Sequence, residues 1–490
     1  MNPDSPPFRW RQDEDSDLGP PRSGGTPAGA PLPPGPRLWA TLQTVRWLRS
    51  STSYMDRCRA RYGDMFTLNL VAKAAAGPAA DRGRGRWVFL ADPAHVRQVF
   101  TADPATVRTG DTNRFLAPLV GASSILLTDE PQHAKQRRLL LPPLHGERLM
   151  GYGELMSDVA EAELARWPIG EPFALWPRMQ AITLEVVVRA VFGIGEPRRL
   201  AYVTGLLRTM LDRMTSPRWL AAQALLATAA HDRTGALSGA ARRLVGPVDR
   251  VVLAEIARRR AAPDLDRHGD LLSLLVQAEY EDGTAMGDGE LRDELMTLLI
   301  AGHESTATAL AWAFELLLRH PDGPARLADE ADADRDEYAD AVVKETLRLR
   351  PVLPFVLRSL GRPMEIGGHP LPAGTWLAPC AYLIHRREDL YPEPLRFLPE
   401  RFVGRPAGGS TWLPFGGGVR RCLGASFAQL EMRRVLQTVI TRAELVPAET
   451  EPEPPRSRFI TVAPSRGARV VMKSRRARTP RSAPRTWMPG

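Results

Sequence analysis

From about residue 130 onward, apolar residues recur at three- and four-residue intervals, the period of helices that bury one face. The segments that carry this period are 146–166, 179–192, 199–214, 240–260, 270–280, 289–319, 324–332, 336–349 and 424–441. Ahead of them, Leu38, Trp39, Leu42 and Val45 open a helical spacing just after Pro33-Pro34-Gly35-Pro36. Strand-like patterning is confined to short pieces. Met65–Val71 and Trp87–Leu90 read as a strand pair separated by the Gly/Ala/Arg-rich stretch 74–86, and further runs lie at 354–360, 375–379 and 459–471. This pattern predicts a mainly α protein with small β-sheets, folded as a single large helix-rich domain without repeats.

One predicted helix stands apart. Leu291–Leu318 would run about 40 Å at the helical rise, long enough to cross a whole domain. It is apolar on most faces from Leu295 to Leu317, so it is predicted to be buried. Its middle reads Ala301-Gly302-His303-Glu304-Ser305-Thr306. Glycine costs a buried helix about 1 kcal/mol against alanine, and polar groups buried without partners cost more. A local rule broken in this way marks a candidate functional site.

Length and composition narrow the picture. The chain has 490 residues, 43% hydrophobic and 25% charged, which fits a soluble protein with a large core. Mean hydropathy is -0.24, and no apolar run reaches the roughly 18 residues that a membrane span needs. The N-terminus has no signal-peptide shape, so the expected location is cytoplasmic. The formal charge is +9, but eight basic side chains and no acidic one fall within 466–490, which leaves +1 for residues 1–465. Residues 1–36 hold ten prolines. They are expected to form a disordered extension, and 473–490 a basic disordered tail, around a domain spanning 37–472. No nucleic-acid motif accompanies the tail, so no nucleic-acid partner is expected.

The cysteines are Cys58, Cys380 and Cys422, far apart and without a CxxC pair, which argues against disulfides or a tetrathiolate zinc site. Cys58 and Cys380 read as small buried hydrophobes. Cys422 differs in its setting, Phe415-Gly-Gly-Gly-Val-Arg-Arg-Cys-Leu-Gly424. Three glycines let the backbone pass close to a neighbour or take positive φ. The apolar spacing that follows opens a helix, placing Cys422 where N–H groups and the helix dipole favour a thiolate. Arg420 adds a fork suited to a carboxylate. A thiolate with backbone donors and no second sulfur suits an axial ligand to haem iron. A loop that merely turns and a reactive free thiol are the other readings of these residues. The pattern Phe-x-x-Gly-x-Arg-x-Cys-x-Gly should arise by chance in on the order of one chain in ten thousand.

This segment resembles the haem-binding loop of the cytochrome P-450 family, the haem-thiolate monooxygenases of soluble bacterial type. The likeness runs from about residue 34 to 472. Glu345 and Arg348, in Lys-Glu-Thr-Leu-Arg-Leu-Arg-Pro, resemble the family's Glu-x-x-Arg helix, and Pro399-Glu-Arg-Phe402 its partner motif. The resemblance implies that Arg401 closes a structural charge network with them. Ala301–Thr306 resembles the oxygen-binding kink: Gly302 would supply room, Glu304 an acid and Ser305 an alcohol, with Thr306 as the other candidate for that alcohol. Ser305 stands where the family usually has threonine. The alternative is a helix serine bonded back to its own turn.

The resemblance further implies haem b with Cys422 as its metal ligand. It assigns cofactor contacts to Phe415, Gly416, Gly424, Ala301 and Gly302, and propionate partners to His133, Arg137, Arg358 and Arg420. It implies O2 as co-substrate and a small lipophilic substrate contacting Thr297, Ala301, Val356 and Ile460. The wider lining is expected from the 105–125 loop, residues around 176–220 and the Phe459–Val462 turn. His303 is expected to be a packed core residue. Hydroxylation within secondary metabolism is the expected chemistry. Electrons would come indirectly from NAD(P)H through a separate ferredoxin and ferredoxin reductase, docking near Arg421, Arg433 and Arg434 on a monomer. A peroxygenase or isomerase on the same scaffold and a haem-binding sensor are the alternatives. Glu304 and Ser305 count against both.

Overall fold

A computed structural model describes residues 32–70, 86–214, 234–458 and 460–476. The long helix is present as Asp288–Leu317, with Asp288 and Glu290 in its first turn, where carboxylates meet the helix's free N–H groups. It anchors two separate cores. Leu291, Leu295, Met296 and Leu299 pack with Val188, Leu207 and Val252 in one cluster. Ala307, Leu310, Phe314 and Leu317 pack with Met179, Val186, Val435 and Val439 in another. Residues 301–306 fall where the two cores meet. The flanking helices Trp176–Phe192 and Ala425–Arg442 both lie against this central helix.

The strands are short. The main sheet has the order β1-β2-β8-β5-β3, built from Met65–Asn69 (β1), Arg86–Leu90 (β2), Val107–Arg108 (β3), Arg358–Leu360 (β5) and Trp376–Pro379 (β8). β2 and β8 run parallel, and the other pairs antiparallel. A three-stranded sheet joins Pro172–Ala174 (β4), Arg469–Arg475 (β12) and Ala443–Pro447 (β9). Met364–Ile366 (β6) pairs with His369–Leu371 (β7), and Pro455–Arg458 (β10) with Thr461–Pro464 (β11). The last hairpin is pinned to the central helix by Trp312 Nε1, which donates to Val462 O at 2.9 Å.

Several expectations change here. The run at 459–471 is two strands with a turn between them, at which Gly467 and Ala468 take positive φ. Of 354–360 only the last three residues join the sheet. Residues 33 and 34 are packed: the Thr67 N–H and hydroxyl donate to Pro34 O and Pro33 O, each at 2.8 Å. A Cβ at Gly35 would stand 1.9 Å from Thr67 O. Ordered chain therefore begins ahead of residue 37, and β12 carries it past 472 to Arg475. Residues 1–31, 71–85, 215–233, 477–490 and Phe459 lie outside the described residues, and with them part of the expected lining at 176–220.

The periodicity also missed the helices Ser51–Tyr62, Pro93–Thr101 and Gln132–Leu140. In the last, the buried positions are His133, Gln136 and Leu140. Two of the three are polar and are held by hydrogen bonds, so an apolar period does not reveal them. Among the described residues no helix is long and apolar enough to cross a membrane.

Candidate active site

The loop ahead of the Ala425–Arg442 helix needs its glycines for two reasons. Gly416 and Gly418 sit at φ 66° and 67°, in the left-handed region that side chains resist. Gly417 is required by packing, since a Cβ there would stand 2.3 Å from the Phe100 ring. The loop is closed by the Cys422 N–H, which donates to Phe415 O at 3.0 Å, and by Arg421 N–H to Gly418 O at 3.1 Å. Leu423 packs against the core cluster that holds Leu295 and Leu299, which ties the loop to the central helix.

Cys422 is the exposed cysteine among the three, while Cys58 and Cys380 are buried. Protein nevertheless surrounds it densely enough to desolvate a thiolate, and a side chain on the wall of an interior hollow has both properties. Burial raises its thiol above the ordinary value. The Gly424 N–H and the charges of Arg421 and Arg137 oppose that shift without overcoming it. The helix start therefore does not ionise this sulfur unaided, as the sequence suggests. Coordination to a metal cation would. Burial pushes the thiols of Cys58 and Cys380 to about 12, so they are inert.

Beside the loop lie two arginines and a histidine. Arg420 donates through Nη1 to Ile125 O at 3.2 Å, and through Nη2 to Thr128 O at 2.6 Å and Asp129 Oδ1 at 2.9 Å. His133 Nδ1 is 2.7 Å from Glu130 Oε1. Arg358 opens β5 and is 6% exposed. Its guanidinium lies over the Phe100 ring, 5.7 Å from the centroid, and donates to Leu357 O at 2.8 Å.

Among the described residues no carboxylate lies within ion-pair distance of Arg358. Burial, and then the charge of Arg420, lower Arg358 to about 10 and also hold His133 below its ordinary value. Two buried arginines that repel one another, with a histidine donor beside them, are a socket for anions, and the two carboxylates of a haem would meet that need. Arg137 stands at the edge, its Nη1 donating to Arg421 O at 2.8 Å.

The central helix is continuous through 301–306. Ala301 is exposed, although the helix is buried on both sides of it in sequence. An exposed alanine at the midpoint of a buried helix shows that the packing is open at this point. The Ser305 hydroxyl donates to Ala301 O at 3.0 Å and that of Thr306 to Gly302 O at 3.2 Å. Both are bonded back to their own turn, and Thr306 is buried while Ser305 is not. A Cβ at Gly302 would stand 3.1 Å from Val187 Cγ2, so the glycine lets the flanking helix pack closely here.

Glu304 Oε2 accepts from Gln180 Nε2 at 2.7 Å, and its Oε1 lies 3.9 Å from Arg458 Nε. Burial raises this carboxyl above the usual carboxylate range. His303 is buried, lowered to about 4 by that burial, with its Nδ1 unpartnered. Asp212 and Arg208 are the charges it senses.

Glu345 and Arg348 are fully buried. Arg348 grips the carboxylate with both Nε (2.6 Å) and Nη2 (2.8 Å), while Arg401 Nε reaches Glu345 Oε1 at 3.3 Å. Arg348 also donates to the carbonyls of His385, Pro394 and Arg396. This network joins the 385–401 segment to the Glu337–Leu349 helix. Through His385, whose Nε2 accepts from Leu413 N–H at 2.8 Å, it reaches the loop ahead of Cys422, where Gly416 N–H donates to Leu413 O at 3.0 Å.

The candidate lining residues scatter. Thr297 is buried, its Oγ1 2.7 Å from both Ser124 Oγ and Asp293 O. Val356 stands 3.7 Å from a Cβ built on Gly416. Ile460 is 44% exposed between β10 and β11. Arg433 pairs with Asp340 at 3.0 Å and Arg434 approaches Asp336 at 3.8 Å, so much of that positive charge is already matched. Sequence reasoning did not find Phe100, Gln180, Arg458, Asp129 or Glu130. Nothing in the local spacing of the first four points to residues they meet more than a hundred positions away, whereas Glu130 meets His133 only three residues on.

A family profile for cytochrome P-450 matches residues 30–472. A Mycobacterium bovis protein with the provisional name cytochrome P-450 135B1 is 42% identical over 451 residues, covering 91% of this chain and 92% of its own. A Mycobacterium tuberculosis protein, provisionally cytochrome P-450 137, is 36% identical over 455 residues, covering 92% of each chain. Among solved structures, a cytochrome P-450DA heme domain superposes with a TM-score of 0.74 at 22% identity, covering 88% of this chain and 95% of that one. Retinoic acid-bound cyanobacterial CYP120A1 gives 0.72 at 22% identity, with 88% and 96% covered. With the match extending over nearly the whole of the described fold, this chain belongs to the cytochrome P-450 family.

Proposed function

We propose that the chain is a monooxygenase that inserts one oxygen atom of O2 into a small lipophilic substrate, with a haem held by Cys422. The observation that carries this is an exposed cysteine sulfur in a loop packed on Phe100, beneath a buried arginine, Arg358, that has no carboxylate partner among the described residues. A haem supplies both complements: a metal cation for the sulfur and two carboxylates for Arg358, Arg420 and His133. Bound there, it provides the iron at which dioxygen is held and cleaved.

The chain's own part is to hold the sulfur, match the carboxylates and deliver protons. Glu304 is the proton donor on this reading, because burial keeps it protonated further up the pH scale than an ordinary glutamate. Gln180 fixes its orientation. Ser305 is the alcohol where the packing is open, and it must leave the Ala301 carbonyl to pass a proton on. Thr306 is buried, which favours Ser305 for this role. Electrons arrive from a separate ferredoxin and its NAD(P)H-dependent reductase. Arg421 is the exposed cation for docking, since Arg433 and Arg434 are already paired.

The test is oxygen consumption and product formation with a surrogate ferredoxin system and a lipophilic panel chosen by difference spectra. Substrate-dependent oxygen uptake with hydroxylated product is expected. Clean haem uptake without turnover on any compound that shifts the spectrum would sink the catalytic reading.

A further inference from the structure

We infer that Glu294, a residue the proposed reaction does not use, is a positioning residue that ties the central helix through Ile125 to Arg420, and so sets the cation that meets a haem carboxylate. Ile125 is bonded on both sides. Its N–H donates to Glu294 Oε1 at 2.9 Å, and its carbonyl accepts from Arg420 Nη1 at 3.2 Å. Glu294 has no exposed surface, and its Oε2 has no partner among the described residues.

Neighbouring contacts press the same loop onto the helix. Asp293 Oδ2 accepts from Ser123 N–H at 2.9 Å, and Thr297 Oγ1 meets Ser124 Oγ at 2.7 Å. A Cβ at Gly121 would collide with the Asp293 carboxylate at 1.9 Å. Arg420 takes part of its grip from this clasped backbone, so a loop that shifts takes the guanidinium with it.

The charge state supports the geometry. Glu290 and Asp293 on its own helix are the anions around Glu294, and Tyr280, bonded to Glu290 Oε1 at 2.6 Å, approaches from the preceding segment. Arg292 is occupied by Asp249 and Asp293. Burial first, with those two anions behind it and the Ile125 N–H opposing, raises Glu294 to about 9. A neutral carboxyl accepts the Ile125 N–H without leaving a bare charge in the core. Because the folded state keeps a proton that the unfolded state has lost, stability falls as pH rises from about 4.5 to about 9.

The inference rests on the haem reading, and its test separates the two. Haem-free protein is titrated with haemin, and amide exchange at residues 121–128 is followed without haemin. E294Q keeps the acceptor and should bind haemin within about twofold of wild type. E294L should bind about five- to tenfold more weakly, with faster exchange at Ile125. That loss should shrink to nothing in an R420K background, where the arginine grip is already gone. The slope of stability between pH 5 and pH 9, on the order of what one titrating group contributes, should flatten in E294Q. Wild-type haemin uptake with E294L unchanged, or with an equal loss in both Arg420 backgrounds, overturns the inference alone. No uptake by wild type overturns the haem reading and the inference with it.

Discussion

Removing the Glu345 carboxylate should destabilise the protein out of proportion to the bonds drawn. Glu345 and Arg348 have no exposed surface, and the carboxylate accepts both guanidinium bonds, the Arg401 Nε and the Leu398 N–H at 2.9 Å. E345A leaves the Arg348 charge buried against neutral carbonyls. Breaking one side of a buried pair costs about 3–5 kcal/mol, against a total of about 5–15 kcal/mol for a typical domain. R401A should cost far less, on the order of 1 kcal/mol, because Arg401 is partly exposed and its bond is longer. The assay is urea unfolding of the haem-free protein, followed by tryptophan fluorescence. The decisive comparison is E345L combined with R348M, which removes both charges. It should cost clearly less than the sum of the single changes, since no uncompensated charge remains. An E345A loss under 1 kcal/mol, or a double variant that costs the full sum, would refute the reasoning.

Three further outcomes test the site. C422A should abolish the carbon-monoxide difference band that thiolate ligation produces; a band that survives would remove Cys422 from the iron. G417A should force the Phe100 ring away from the loop, costing about 1–3 kcal/mol and weakening haem retention, and an unchanged melting curve would contradict the 2.3 Å clash. S305A should divert electrons from product to peroxide by several-fold, consistent with the loss of a proton relay, whereas T306A should not; the reverse pattern in coupling assays would transfer the role to Thr306.

The sequence by itself determined what local spacing can carry. The glycine run before Cys422, the unbroken apolar helix with its polar interruption, and the three-residue offset of Glu345 and Arg348 are all legible within a few turns of chain. Their counterparts came from far away, and only the tertiary structure supplied them. Gly302 was found close against Val187. Spacing leaves two readings of the Ser305 hydroxyl open, and it was found, like that of Thr306, on the carbonyl of the preceding turn. Arg433 and Arg434 looked like open positive charge until Asp336 and Asp340 were found beside them. Glu304 takes its partners from residues 180 and 458, and Ile125 joins 294 to 420. Helix and turn preferences are set by near neighbours, whereas burial, charge matching and loop clasping depend on which distant segments the two cores bring together. A single sequence does not contain that pairing in any period or motif.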